Sequence, residues 1–137
     1  MSPKALNPFR HEPIMFHDQH GRACYRVPLD RHGRQYALVT VSDFNRVRES
    51  GATGVWYLDT NGCGKHYVRT CVPIRRGRNA AVMPARIISG ARPQSVVRYV
   101  NGDTLDLRPE NIVLHRGKSK RTDTVMAERG ASLRASQ

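Results

Sequence analysis

Residues 98–112 read Arg98-Tyr99-Val100-Asn101-Gly102-Asp103-Thr104-Leu105-Asp106-Leu107-Arg108-Pro109-Glu110-Asn111-Ile112. The β-branched and aromatic residues over 95–100 predict a strand that runs into this stretch. Asn101-Gly102-Asp103 predicts the loop that ends it, and residues 111–114 predict a last short strand or turn.

Outward from that stretch, the pattern is one of short elements between turns. Pro84 suits the first turn of a short helix over 85–89, which Gly90 closes. Residues 54–59 predict a strand carrying Trp56 and Tyr57, and residues 66–74 its return. Asn61-Gly62 between them is the strongest hairpin signal in the chain. Arg75-Arg76-Gly77-Arg78-Asn79 reads as a basic turn. Residues 24–29 and 35–41 predict an earlier hairpin across Asp30-Arg31-His32-Gly33. Ser42 reads as the N-cap of a helix with Phe44 and Val47 on its apolar face, ending near Ser50-Gly51. The expected class is α+β, a small antiparallel sheet with short helices. Residues 1–21, with Pro3, Pro8 and Pro13, predict an extended or flexible arm, residues 22–116 the domain, and residues 117–137 a flexible basic tail or a segment that orders on its partner.

Charge is the dominant compositional fact. Of 137 residues, 23 are Lys or Arg and 11 are Asp or Glu, a formal net charge of +12. From Lys65 to Arg98 there are eight cations and no acid. Such a field attracts a polyanion, and the predominance of Arg suits forked contacts to phosphates and guanine edges. No apolar run approaches the ~18–20 residues that span a bilayer, and residues 1–10 lack the pattern of a secretory signal. Three cysteines argue against a disulfide framework, so a reducing cytoplasm is the expected setting.

The opening stretch resembles the core of phage-type HNH homing endonucleases. In that family the segment commonly reads Asp-His-Ile-Asn-Gly-Asp, two residues, Asp-Asn-Arg, two residues, Asn-Leu. Asn101, Gly102, Asp103, Asp106, Arg108 and Asn111 match in register without a gap. Arg86-Ile87-Ile88-Ser89-Gly90 resembles the helix that precedes the family's core, and the resemblance extends over roughly residues 24–116. It implies a ββα-metal-like element at the end of the domain, with Asn111 bracing the loop through backbone hydrogen bonds.

The family's chemistry needs a general base and a divalent metal at the scissile phosphate. Its Asp-His pair falls on Arg98 and Tyr99. Arginine has only donors and cannot ligate a metal, and tyrosine, with a pKa near ~10, is a poor base at neutral pH. The second ligand position, counted forward, falls near Lys120, and the His that precedes the family's helix falls on Ala85. Fold-bearing positions match and chemistry-bearing ones do not, so the element is degenerate. His115 is the one candidate for a displaced base, against the plainer reading of a surface histidine. Cys63, His66 and Cys71, with Cys24 or His32 as a fourth, match no tight zinc spacing, and neither a metal nor a cofactor is expected.

The expectation is therefore a DNA-binding protein on a catalytically degenerate HNH-like scaffold, of phage or mobile-element origin, acting in a bacterial host cell, with duplex DNA as partner and no membrane. The expected contacts are Arg69, Arg75, Arg76, Arg78, Arg86, Arg92, Arg98, Arg116, Lys118, Lys120 and Arg121. Two other readings stand beside it. One is an active nicking endonuclease with an altered centre built from Asp103, Asp106 and His115. The other is an RNA-binding or inhibitory interaction protein.

Overall fold

The computed structural model describes residues 12–30, 32–60, 62–119 and 121–135, the side chains of 131–135 excepted. Strands β1 (Ile14–His17), β2 (Ala23–Pro28) and β3 (Tyr36–Thr40) form one antiparallel sheet in that order. Helix α1 (Val41–Glu49) follows. Strands β4 (Tyr57–Thr60), β5 (His66–Arg75) and β6 (Arg78–Val82) form a second. Helix α2 (Pro84–Ser89) leads to β7 (Ser95–Tyr99), a 3-10 turn (Pro109–Asn111) and β8 (Ile112–Arg116), the last two strands pairing as a hairpin. Helix α3 (Asp123–Ala135) ends the described chain. The fold is α+β, with three small antiparallel sheets and three short helices among the described residues.

The core follows from strand periodicity. On β5, Val68, Thr70 and Val72 point inward while the intervening residues do not, the period-two alternation of a half-covered sheet. Ala37 and Val39 on β3 and Val27 on β2 do the same, and Leu107 joins them from the loop before β8. Phe44 of α1 stands edge-on to Tyr25 at 5.1 Å and tilted against Trp56 at 5.1 Å. Trp56 is 3% exposed, so it fills the core and offers no ring to a ligand.

Local signals place most boundaries. Thr40, rather than Ser42, caps α1: its Oγ1 accepts from the Asp43 N–H at 3.2 Å. Pro84 opens α2, and Gly90 closes it with φ 72°, a left-handed conformation that glycine adopts without strain. The 75–79 segment expected as a turn is tighter than that. Arg75 pairs with Arg78 across Gly77, and the chain continues as β6, whose Ala-rich sequence carries little strand propensity.

The two ends differ from expectation. Ile14–His17 within the expected arm is a strand paired with β2; residues 1–11 lie outside the described residues. The expected tail contains α3, which packs against β5, β6 and α2. Its buried positions are Asp123, Ala127 and Gly130, spaced i, i+4, i+7, and Met126 and Thr124 make contacts beside them. A Cβ on Gly130 would collide with Val72 Cγ1, so the helix approaches β5 as closely as only glycine permits. No helix among the described residues is long and apolar enough to cross a membrane.

Candidate nucleic-acid interface

The loop between β7 and β8 is held by a closed set of short hydrogen bonds. The Asn101 N–H donates to Asn111 Oδ1 at 2.7 Å. Asn111 Nδ2 donates to the Asp106 carbonyl at 2.9 Å and the Asp103 carbonyl at 3.3 Å. Asn101 Oδ1 accepts from the Asp103 N–H at 2.8 Å, and Asp103 Oδ1 accepts from the Leu105 N–H at 2.9 Å. Gly102 takes φ 79° at the tip. The Leu38 N–H donates to the Leu105 carbonyl, and the Leu107 N–H to the Leu38 carbonyl, tying the loop to β3.

Asp106 is committed within this loop. Arg108 forks onto both its carboxylate oxygens at 2.8 Å, and Asn101 Nδ2 donates at 3.3 Å. Burial alone would raise the Asp106 carboxyl; the Arg108 fork, the Arg108 N–H and Asn101 outweigh it and hold the pKa below the usual carboxylate value. Arg108 also reaches Asp18 at 3.6 Å, and Arg22 joins Asp18 at 2.7 Å to Glu110 at 2.7 Å. Gly102, Asp103, Asp106, Arg108 and Asn111 therefore build the loop and anchor it to the domain.

The hairpin separates Arg98 from Tyr99 by the alternation of a strand. Arg98 is exposed, opposite Val113 on a face that also carries Val100, 67% exposed, and His115. Tyr99 turns the other way and packs against the core, where burial pushes its phenol above the ordinary tyrosine value. Its basic phenolate form is therefore scarcer at neutral pH than that of a free tyrosine. Among the described residues, no three His, Cys, Asp or Glu side chains gather as a metal ligand set. Cys24 is buried, Cys71 half-buried and Cys63 exposed.

Ion pairing sorts the basic residues. The carboxylates engage Arg22, Arg46, Arg69, Arg86, Arg92, Arg108 and Arg121. Arg75, Arg76 and Arg78 at the β5–β6 turn, Arg98 and Arg116 on the β7–β8 hairpin, and Lys118 beyond it are exposed and form no ion pair with a described residue. Lys120 lies outside the described residues.

Three of the expected contacts are engaged within the fold. Arg86 is 2% exposed and donates to the Ser95 carbonyl at 2.9 Å and the Arg92 carbonyl at 3.1 Å, with Asp123 at 3.6 Å. Arg121 is clamped onto both oxygens of Asp123 at 2.7 and 2.8 Å. Arg69, partly buried, pairs with Asp59 at 3.2 Å. Arg86 and Arg121 share the buried Asp123 carboxylate, and neither turns to a phosphate without weakening the compensation of that charge. Arg92 pairs with Glu128 at 3.3 Å, but both side chains are more than half exposed, and such a pair yields to a competing anion.

Beside the hairpin lies an open cleft of about 510 Å³, between the β4–β5 hairpin on one side and β7 with its loop on the other. Lys65, His66 and Tyr67 line it from β5 and the preceding turn, and Arg98, Tyr99 and Asp103 from β7 and the loop. Thr104 Oγ1 donates to the His66 carbonyl at 2.6 Å and links the two walls. Reading the sequence missed this cleft, because its walls lie about thirty residues apart in the chain.

Compared with known protein families, with curated proteins and with solved structures, the chain matches none.

Proposed function

We propose that this protein binds nucleic acid, duplex DNA by preference, on an HNH-endonuclease-like scaffold that no longer cuts. The observation that carries the reading is the division of its arginines. One set neutralises carboxylates and holds the fold, and a second set at the β5–β6 turn and on the β7–β8 hairpin remains exposed and unneutralised. A net +12 chain, most of whose acids pair with its own arginines, presents a largely positive exterior to a polyanion.

The absence of cutting rests on the hairpin. The position matching the family's carboxylate is the exposed cation Arg98, which repels a divalent ion and attracts a phosphate. The position matching its histidine is Tyr99, packed against the core. Asp106, a substitute ligand in the nickase reading, is already held by Arg108 and Asn101. The bracing of the loop by Asn111 agrees with the role that the resemblance implies.

The test is a gel shift on random duplex DNA beside a Mg²⁺ and Mn²⁺ cleavage assay on supercoiled plasmid. Contacts to ~6 phosphates lower affinity by roughly 10³ between 50 and 200 mM salt, with the plasmid intact. A salt-independent affinity, or nicking that is abolished in His115→Ala, overturns the reading. Tighter binding to RNA than to the duplex reassigns the partner.

A further inference from the structure

The cleft between β4–β5 and β7 has a composition that backbone neutralisation alone does not require. Phosphate contacts need cations on an open surface, as Arg75, Arg76 and Arg78 provide. Here cations meet aromatic rings in a concavity. Its volume of about 510 Å³ lies within the ~300–1,000 Å³ typical of small-ligand sites. Of its two tyrosines, Tyr99 packs against the core, whereas Tyr67 is half-buried and is not part of the core cluster. On β5 it alternates with the inward-pointing Val68, so its ring stands off the sheet on the cleft side.

We infer that this cleft receives one unstacked nucleotide of a nucleic-acid strand, its base against Tyr67 and its phosphate on Arg98. The inference rests on the nucleic-acid reading and names the unit which that interface takes up.

Three features favour this occupant. A base has two apolar faces and a polar edge, and the cleft combines Tyr67 and apolar wall residues with His66 and Asp103 as polar groups. Stacking on an aromatic ring tolerates any base, which suits a binder without turnover. Arg98 also belongs to the exposed face of the hairpin, so a strand lying on that face passes the mouth of the cleft.

Fluorescence anisotropy on the full chain tests it with three labelled duplexes: fully paired, carrying one bulged nucleotide, and carrying the same bulge without its base. The base-containing bulge binds about tenfold tighter than the paired duplex, the scale of one base–aromatic stack. The gain disappears with the abasic bulge and in Tyr67→Ala and survives in Tyr67→Phe. The paired duplex binds wild type and both variants alike, which also reports that the variants fold. No gain from the bulge, a gain that persists in Tyr67→Ala, or a loss in Tyr67→Ala that falls equally on the paired duplex overturns the inference while leaving duplex binding intact. Deoxyadenosine 5′-monophosphate displaces the bulged probe only weakly; displacement as tight as the bulge's own affinity overturns the strand assignment in favour of a free nucleotide. If none of the three duplexes binds, the nucleic-acid reading fails and this inference with it.

Discussion

The Arg86 guanidinium and the Asp123 carboxylate lie 3.6 Å apart, their side chains 3% and 2% exposed, and join α2 to the first turn of α3. Burial lowers the Arg86 pKa, and the Asp123 charge acts against that. Asp123 also accepts the Met83 N–H, and Arg121 forks onto it. One carboxylate therefore gathers the end of β6, the α2 arginine and the start of α3.

Removing Asp123 leaves Arg86 as an uncompensated buried cation. Asp123→Ala is expected to destabilise the protein by about 3–5 kcal/mol, read from the urea midpoint at constant slope. Arg86→Met combined with Asp123→Leu costs less than Asp123→Ala alone, since it leaves no buried charge unpaired, and Arg121, about one-third exposed, turns to solvent. A double replacement more damaging than the single one contradicts this account.

The contact of α3 with β5 has its own signature. Gly130→Ala adds a methyl group that would meet the fully buried Val72. Its higher helix propensity, about 1 kcal/mol in an exposed helix, is outweighed by overpacking of about 1–3 kcal/mol. In a Val72→Ala background the same substitution is neutral or stabilising, because the space it needs has been vacated. A double-mutant cycle by thermal or urea unfolding measures this coupling; additivity excludes the contact.

Acid stability follows from the carboxylates around Arg22 and Arg108. The side-chain hydrogen bond from Arg22 is the chief cause that holds Asp18 well below the usual carboxylate range, and Arg22 also lowers Glu110. Asp106 is lowered as well. A carboxyl whose folded pKa lies below its unfolded value, about 4, stabilises the fold above that value. The contribution is lost as pH falls through the folded pKa. Stability is therefore flat from neutral pH down to about 5 and declines below about 4. Asp18→Asn lowers stability at neutral pH and flattens that decline, as urea unfolding across the pH range shows. An unchanged acid slope in Asp18→Asn excludes this origin.

The sorting of the arginines predicts two separate phenotypes. Arg98→Ala weakens DNA binding about tenfold, the scale of one partly exposed charge-assisted bond at ~1.4 kcal/mol, and leaves the urea midpoint in place. Charge reversal at Arg75, Arg76 or Arg78 weakens binding to all sequences alike. Arg86→Ala lowers stability first. Anisotropy and unfolding on the same samples separate the classes, and a binding loss in Arg86→Ala with unaltered stability contradicts the assignment.

The sequence by itself determined the class of fold and the build of the β7–β8 loop. Both depend on short-range chemistry. Strand alternation at Val68, Thr70 and Val72, turn residues at Gly77, Gly90 and Gly102, and the spacing from Asn101 to Asn111 can be read within a few residues of each position. The excess of positive charge is likewise a property of composition. Tertiary structure alone decided which cations are free, since Arg86 and Arg75 look equivalent in the chain and differ only in the carboxylate that folding brings to one of them. It also decided that the C-terminal segment is a docked helix. The buried face of α3 is Asp123, Ala127 and Gly130, which shows no apolar periodicity and becomes a contact surface only where Val72 and Arg86 meet it. The cleft holding Tyr67 and Arg98 exists because two hairpins distant in the chain face each other across it, and sequence separation carries no record of that proximity.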